Sequence, residues 1–408
     1  MHILFLTDNF PPEGNAPATR TYEHAKEWVC LGHQVTVITC APNFPEGLLF
    51  KGHKNRWYQR EALDGISVVR VKTYITANEG FVKRILDYMS FGVMGAIAGL
   101  FQKRPDVIVS TSPQFFCACG GWLLSVLRWK PWVFELRDIW PASIMAVGAM
   151  KENTFIKLLE KLELFLYRRA DRIVAVTNSF KTELIARGID GGKIDVVVNG
   201  VDLSTYVPAR VKDPVLAAEY DLMDKFVVGY IGTHGMAHAL DKVLDAAKLL
   251  QGQDDICFLF AGGGAERARL ERLAHERGLS NVVMMPRQPK EVMPAVWSLC
   301  DISLISLRDT PLFTKVIPSK IFESMGMGLP MVIACPRGEA TKIIESSASG
   351  LVLPPEDSKA LADCVASLYS DRERLAGFAS ASAGAAGAYD RSRQAALMLA
   401  SLVKAART

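Results

Sequence analysis

The sequence predicts an α/β protein made of two doubly wound domains in succession. Three observations predict it. Short runs rich in Val and Ile recur along the chain, several of them apolar throughout, as parallel strands covered on both faces require. Amphipathic stretches of helical spacing separate these runs. The series also pauses once near the middle and then begins again. A length of 408 residues suits two or three domains, and 50% hydrophobic with 22% charged residues provides a sizeable core.

The first series places strands at Ile3–Thr7, Val35–Thr39, Ser67–Val71, Val107–Ser110, Trp132–Leu136, Arg172–Val176 and Asp195–Val198. Helical patterns such as Ala18–Leu31 and Thr154–Arg169 lie between them. Asn199-Gly200 makes a turn, and Asp202–Lys225 shows no strand. The second series runs Val227–Ile231, Cys257–Phe260, Val282–Met285, Ile302–Ser306, Met331–Ile333 and Gly350–Leu353. From Asp390 onward, apolar residues at helical spacing predict a terminal helix packed on the body. Doubly wound sheets bind ligands at the carboxyl ends of their strands, which makes a cleft between the domains the expected site.

A net charge of +4 is too small to indicate a nucleic-acid partner. The basic excess lies in the first half, which is either chance or the mark of an anionic partner such as a phospholipid surface or a lipid diphosphate. Most of the eight cysteines sit in apolar runs such as VTVITC and ICFLF, and none has paired C-x-x-C spacing, as expected of buried thiols in a cytoplasmic protein. The opening MHILFLTDNF reads as a strand, not a secretory leader. Ile85–Phe101 contains Asp87 and three glycines, and Phe115–Leu127 is short. Neither reaches the roughly 20 apolar residues of a membrane span. Buried helices are the first reading of both. Because Lys83 and Arg84 flank one stretch and Arg128 and Lys130 follow the other, shallow membrane contact over residues 81–101 is the second.

The most informative stretch is IPSKIFESMGMGLP. Pro318 restrains the chain where a helix begins, and Gly328 with Pro330 ends it. The free N–H groups at such a start suit a phosphate, with Ser319 adding a hydroxyl and Lys320 a cation. Glu323 shares their face and offers a carboxylate to a vicinal diol. That is the layout of a nucleoside diphosphate. An ordinary capped helix with an i,i+3 Lys–Glu pair fits the spacing equally well. Glycine-rich turns follow two strands, Gly232-Thr233-His234-Gly235 and Gly262-Gly263-Gly264. Neither completes a G-x-G-x-x-G fingerprint, and no P-loop occurs, which disfavours nicotinamide, flavin and P-loop enzymes. His234 suits a phosphate, a sugar hydroxyl or a surface turn alike. The loop NFPPEGNAPATR carries Gly14, Asn15 and Arg20 after the first strand. Arg137 and Asp138 close another strand beside Trp140-Pro141, as a base or sugar ligand or as a buried ion pair. No Asp-x-Asp triplet and no metal-spaced cluster occurs.

These residues resemble the retaining nucleotide-sugar glycosyltransferases of family 4, over essentially the whole chain. The carriers are NFPPEGNAPATR, LGHQVTV, the VNGVD turn at Val198–Asp202 and IPSKIFESMGMGLP. FELRDIWPASIMAVGAM and ANEGFVKR further resemble bacterial surface-polysaccharide transferases of the N-acetyl-L-fucosaminyl type. The resemblance implies the GT-B fold, two Rossmann-like domains facing each other across a cleft. Residues 1–203 would bind acceptor and 204–380 the nucleotide sugar, with 381–408 crossing back onto the first domain. It implies Lys320 and Asp138 as catalytic residues. Glu323 would hold the donor ribose, and Pro318, Ser319 and Lys320, with Gly232, Thr233, His234, Gly235 and Gly263, the diphosphate. Arg287 would border the base, usually uracil. Gly14, Asn15, Arg20 and Arg137 would face the acceptor. Many members carry Glu-x7-Glu, but Lys315 stands eight residues before Glu323, which bears on the donor sugar.

The activity so implied is transfer from a UDP-sugar, without cofactor or protein-held metal, to a lipid-diphosphate-linked or oligosaccharide acceptor in O-antigen or capsule synthesis. The enzyme would work in the cytoplasm, peripherally on the inner face of the plasma membrane. A nucleotide-sugar 2-epimerase and a non-enzymatic nucleotide-binding protein are the alternatives.

Overall fold

The computed structural model describes residues 1–44, 46–76, 81–112, 114–139, 154–209 and 211–407. These divide into two compact units, Met1–Val198 with Arg391–Thr408, and Asn199–Asp390.

The first unit holds an eight-stranded sheet in the order β3-β4-β2-β1-β5-β6-β7-β8. The strands are β1 (His2–Leu6), β2 (Gln34–Cys40), β3 (Tyr58–Leu63), β4 (Ile66–Val71), β5 (Val107–Thr111), β6 (Trp132–Leu136), β7 (Arg172–Ala175) and β8 (Ile194–Val196). All pairs are parallel except β3 with β4. Alternate residues feed different cores: Leu4, Leu6 and Ile38 enter one, and Ile3, Phe5 and Val37 the other. Both faces are therefore covered, which explains why these strands read as continuous apolar runs.

The edge strand β3 is the one strand absent from the sequence reading. Its residues YQREAL include the charged pair Arg60 and Glu61 and alternate between exposed and half-buried. The turn that returns it, Asp64-Gly65, has φ of 47° and 81°, the paired left-handed geometry that favours Asp-Gly in a tight hairpin.

The second unit contains β9 (Phe226–Ile231), β10 (Ile256–Ala261), β11 (Val282–Met285), β12 (Ile302–Ser306), β13 (Met331–Ala334) and β14 (Gly350–Leu353). Their order, β11-β10-β9-β12-β13-β14, is all parallel. Counted within the unit, this is the 3-2-1-4-5-6 order of a dinucleotide-fold sheet. The first unit repeats that order with β3 added at one edge and β8 at the other. The switch points fall between β1 and β5 and between β9 and β12, where adjacent crossovers diverge and leave a crevice.

The second unit is longer than expected at both ends, beginning after Val198 where 203 was expected and ending at Asp390 where 380 was expected. The helix Arg372–Ala386 packs on the helix Lys320–Gly326, which keeps residues 381–390 in the second unit. Only Arg391–Ala406 returns to the first. There Trp28, on helix α1 (Ala16–Cys30), donates its indole N–H to Ala395 O at 2.9 Å, and Met398 and Leu402 join the core. Six of the eight cysteines are buried, while Cys30 is exposed. Among the described residues no helix is long and apolar enough to cross a membrane.

Candidate functional site

In the second unit the two glycine turns interlock at the carboxyl end of the sheet. Gly232 N–H donates to Ala261 O at 2.9 Å and His234 N–H to Gly263 O at 2.8 Å. A Cβ on Gly262 would lie 1.9 Å from Gly232 O, and φ there is 147°, so only glycine fits. Arg267 braces the turn from behind, donating Nη1 to Gly262 O at 2.5 Å and to Met285 O at 2.7 Å. Arg287 is exposed, with its Cβ 3.9 Å from where a Gly263 side chain would begin. Thr233 is exposed and Gly235 half-buried on the same turn.

The helix opened by Pro318 runs over Lys320–Gly326, with Ser319 as its N-cap residue and Gly328 at φ 65° beyond its end. Ser324 anchors it, its hydroxyl meeting Ser303 Oγ on β12 and Lys320 O, both at 2.6 Å. This anchoring brings Lys320 under the first glycine turn. Its Nζ lies 3.2 Å from where a Gly232 Cβ would stand and 3.6 Å from the centre of the Tyr230 ring. The side chain is 8% exposed, and Nζ has no hydrogen-bond partner. Burial pulls its pKa down to about 7, against the opposing charge of Glu323. Glu323 is half-buried one turn on. Lys315 is half-buried and closes the short turn Pro311–Thr314 that precedes the helix.

His234 is no surface-turn histidine, because it is 0% exposed and neither ring nitrogen has a hydrogen-bond partner. Burial, then the cations Arg267 and Lys320, push its pKa down to about 4. His238, which the sequence reading passed over, lies beside it. Its ring is 5.7 Å from Tyr230 and its Nδ1 donates to Ser306 O at 3.2 Å. Burial and Lys320 hold it near 4 as well. A buried cation without a hydrogen-bond partner, beside neutral imidazoles and a glycine turn, is an arrangement that an anion would complete.

In the first unit the crevice at the β1–β5 switch point is a small cavity, partly open to solvent. Asp8, Asn9, Glu13, Asn43, Asp87 and Gln114 are among its lining. Glu13 is 4% exposed; its Oε1 accepts from Asn43 N–H at 2.8 Å and Phe44 N–H at 3.0 Å, and its Oε2 accepts none. Burial and mutual repulsion raise the Asp8 carboxyl well above the usual range, burial raises Glu13, and burial pushes Asp87 up to about 7. Burial thus favours the neutral form of these carboxyls, which donates as well as accepts hydrogen bonds. Asp8 and Glu13 share the loop after β1, but Asp87 comes from the helix Phe81–Leu100, so the cluster carried no signal in sequence.

The predicted first-unit residues do not gather at this cavity. Gly14 is exposed with open space beside it. Asn15 is the N-cap of α1, its Oδ1 accepting from Ala18 N–H at 2.9 Å while its Nδ2 donates to Asn9 Oδ1 at 2.7 Å. Arg20 is 1% exposed, 3.1 Å from Glu135 and donating to Val197 O at 3.3 Å. It is a buried pairing residue, contrary to its expected place facing an acceptor. The backbone N–H groups of Arg137 and Asp138 donate to Ser112 Oγ at 2.8 and 3.3 Å. The Arg137 guanidinium is held down by burial and leaves Nη1 without a hydrogen-bond partner. Trp140-Pro141 lie outside the described residues.

Known proteins resolve the class. The profile of glycosyl transferases group 1 matches residues 217–383, and that of the glycosyl transferase 4-like domain matches residues 15–200. A GDP-mannose-dependent alpha-mannosyltransferase of Mycobacterium tuberculosis is 30% identical over 377 residues, covering 92% of this chain and 90% of that protein. A putative colanic acid biosynthesis glycosyl transferase, WcaI of Escherichia coli, is 27% identical over 82% of this chain and 83% of its own. Among solved structures, a sucrose-phosphate synthase from Thermosynechococcus elongatus superposes with TM-score 0.78 at 16% identity, covering 98% of this chain and 97% of that one. Anabaena HepE in complex with UDP gives 0.72 at 18%, covering 99% and 100%. The two sheets and these likenesses define a GT-B protein. The chain belongs to the glycosyltransferases of family 4.

Proposed function

We propose that this glycosyltransferase moves a sugar, with retention at the anomeric carbon, from a UDP-sugar to a lipid-diphosphate-linked or oligosaccharide acceptor in bacterial surface-polysaccharide synthesis. The observation that carries the reading is the buried, unpartnered Lys320 ammonium beneath the Gly232 turn. A donor diphosphate placed there gives the cation its missing counter-charge, and the turn gives the phosphates close backbone approach. The relatives support the pathway class, since their names include colanic acid and teichuronic acid biosynthesis. Uracil as the donor base is supported by HepE, whose structures carry UDP and UDP-glucose, whereas the mycobacterial relative is named for GDP-mannose.

In this reading the glycosidic C–O bond to the diphosphate breaks, an oxocarbenium-like centre forms, and the acceptor hydroxyl attacks the same face. Its proton passes to the departing phosphate oxygen. Lys320 stabilises the charge that develops on that oxygen, and Glu323 accepts hydrogen bonds from the ribose hydroxyls. No Asp-x-Asp triplet is present, in keeping with electrostatics supplied by the chain itself. The sugar is an N-acetylated deoxyhexosamine of the N-acetylfucosamine type, and the acceptor lies at the inner membrane surface.

A thermal-shift screen of UDP, GDP and their sugars tests the donor. UDP compounds should raise the melting temperature of the wild type, Glu323→Ala should weaken that binding by about tenfold, and Lys320→Ala should lower turnover by about 100-fold or more. Wild-type turnover by Lys320→Ala would remove the carrying observation.

A further inference from the structure

Helices α2 (Phe81–Leu100) and α3 (Phe115–Arg128) meet with their backbones almost in contact. A Cβ on Gly92 would lie 2.4 Å from Phe116 O, and one on Gly120 would lie 2.4 Å from Gly92 O. At the far end Arg128 ties the pair, donating Nη1 to Leu100 O at 2.7 Å and Nη2 to Gln102 O at 3.0 Å. Their inward residues, including Phe91, Ala98, Cys117 and Leu124, are core.

The outward residues do not suit water. Beyond Arg84, every exposed residue of α2 is apolar: Leu86, Met89, Val93, Ile97 and Leu100. Their spacing of three and four sets them in one stripe. On α3 the exposed residues are Leu123, Val126 and Leu127, again all apolar. Just past the two helices stand Phe101, 80% exposed, and Trp129, 87% exposed. An ordinary surface helix carries charge on this side. The charges that border the face are basic. Lys83 and Arg84 lie at one end, and Lys103, Arg104, Arg128 and Lys130 at the other. The one acid of these helices, Asp87, is half-buried and lines the cavity.

We infer that the α2–α3 face docks on an anionic lipid bilayer. An apolar stripe with an exposed tryptophan at its rim and basic residues at both ends matches the headgroup–acyl boundary of such a membrane. A second copy of the chain fits less well, because pairing this face with itself brings basic ends together. α2 also forms a wall of the cavity through Arg84, Asp87 and Tyr88, so one helix serves both lipid and polar pocket. The link to a lipid-borne acceptor rests on the transferase reading above, while the docking surface does not.

The test is flotation of the full chain with phosphatidylcholine vesicles, with and without phosphatidylglycerol, at low and high salt. The wild type should float with the anionic vesicles and be partly released by salt. Val93→Ser/Ile97→Ser should lower partitioning by about tenfold or more, and Lys83→Gln or Lys103→Gln by roughly fivefold each at low salt. Val215→Ser, more exposed than either but on the second unit, should float as the wild type. Matching unfolding midpoints would show that the variants fold, and UDP titration of the same samples reports the donor site separately. The inference fails if the wild type does not float at low salt, or if the double serine variant floats unchanged. It also fails if that variant disperses a dimer formed by a wild type that ignores lipid. Flotation without UDP binding would count against the donor reading and leave the surface standing.

Discussion

The Lys320 ammonium lies 3.6 Å above the centre of the Tyr230 ring, and that π face is its nearest compensation. A ring quadrupole is worth about 2 kcal/mol to a desolvated cation, less than the cost of taking that cation from water. The helix that carries Lys320 is anchored elsewhere, through Ser324 and Ser303, so the cation is held in place by packing it does not itself favour. A binding site assembled in this way is less stable empty than filled.

Replacing the cation should therefore stabilise the empty protein. Burial has lowered the Lys320 pKa from 10.5 to about 7. Between those values the unfolded chain holds a proton that the folded chain has released, so this residue makes stability rise with pH from about 7 to 10.5. Lys320→Met should raise the apo melting temperature at pH 7, by on the order of a few kcal/mol in free energy, and flatten that rise. Thermal unfolding across the pH range measures both, and an unchanged slope would contradict the assignment.

Donor binding should take up a proton in the same window. A diphosphate beside Lys320 favours its charged form, so UDP affinity should fall as pH rises above 7, by up to about tenfold per unit. His234 and His238, both near 4, stay neutral throughout and add nothing. Calorimetry at pH 8 in buffers of different ionisation enthalpy would register the uptake, and Lys320→Met should abolish it.

The sheet was legible in the sequence because its parallel strands are buried on both faces and so announce themselves as apolar runs. Strand β3 escaped because an antiparallel edge needs no such run, although its Asp64-Gly65 turn was a readable sign. In the second unit, proximity along the chain made Pro318, Lys320 and the glycine turns legible. Tyr230 read only as a strand residue, since nothing in sequence says which ring will lie under which cation. In the first unit Arg20 misled. Its place at the end of the NFPPEGNAPATR stretch suggested an open loop, yet its partner Glu135 lies on β6, a pairing that only the fold creates.

Gly262 should tolerate no side chain. Alanine there would place a methyl 1.9 Å from Gly232 O, on the turn above Lys320. With φ at 147° the backbone also resists the change. Gly262→Ala should weaken UDP binding by about 10- to 100-fold through displacement of the Gly232 turn, while the first unit keeps its hydrogen-exchange protection. Titration and exchange on the same sample check both halves.

The Arg20–Glu135 pair should behave as structure, not as an acceptor contact. Removing one partner strands a buried charge, at a cost of about 3–5 kcal/mol, whereas removing both strands neither and leaves only Arg137, which Glu135 also offsets, to limit the recovery. Arg20→Leu or Glu135→Leu alone should lower the unfolding free energy of the first unit by that amount, and the double variant should recover much of it. Urea denaturation of the three variants supplies the cycle. Additive losses would mean that the two residues do not compensate one another.

The cavity carboxyls should make the first unit less stable as pH rises. Asp87 ionises at about 7 in the folded chain against an ordinary 3.8, because burial disfavours its charge and Glu13 repels it. From pH 4 to 7 the folded chain keeps a proton that the unfolded chain has lost, so stability declines with pH across that interval. Asp8 and Glu13, also raised, act with the same sign. Asp87→Asn keeps the shape and removes the titration, so it should raise the melting temperature at pH 8 more than at pH 5. A variant that shifts both equally would show that the side chain matters for packing and not for its proton.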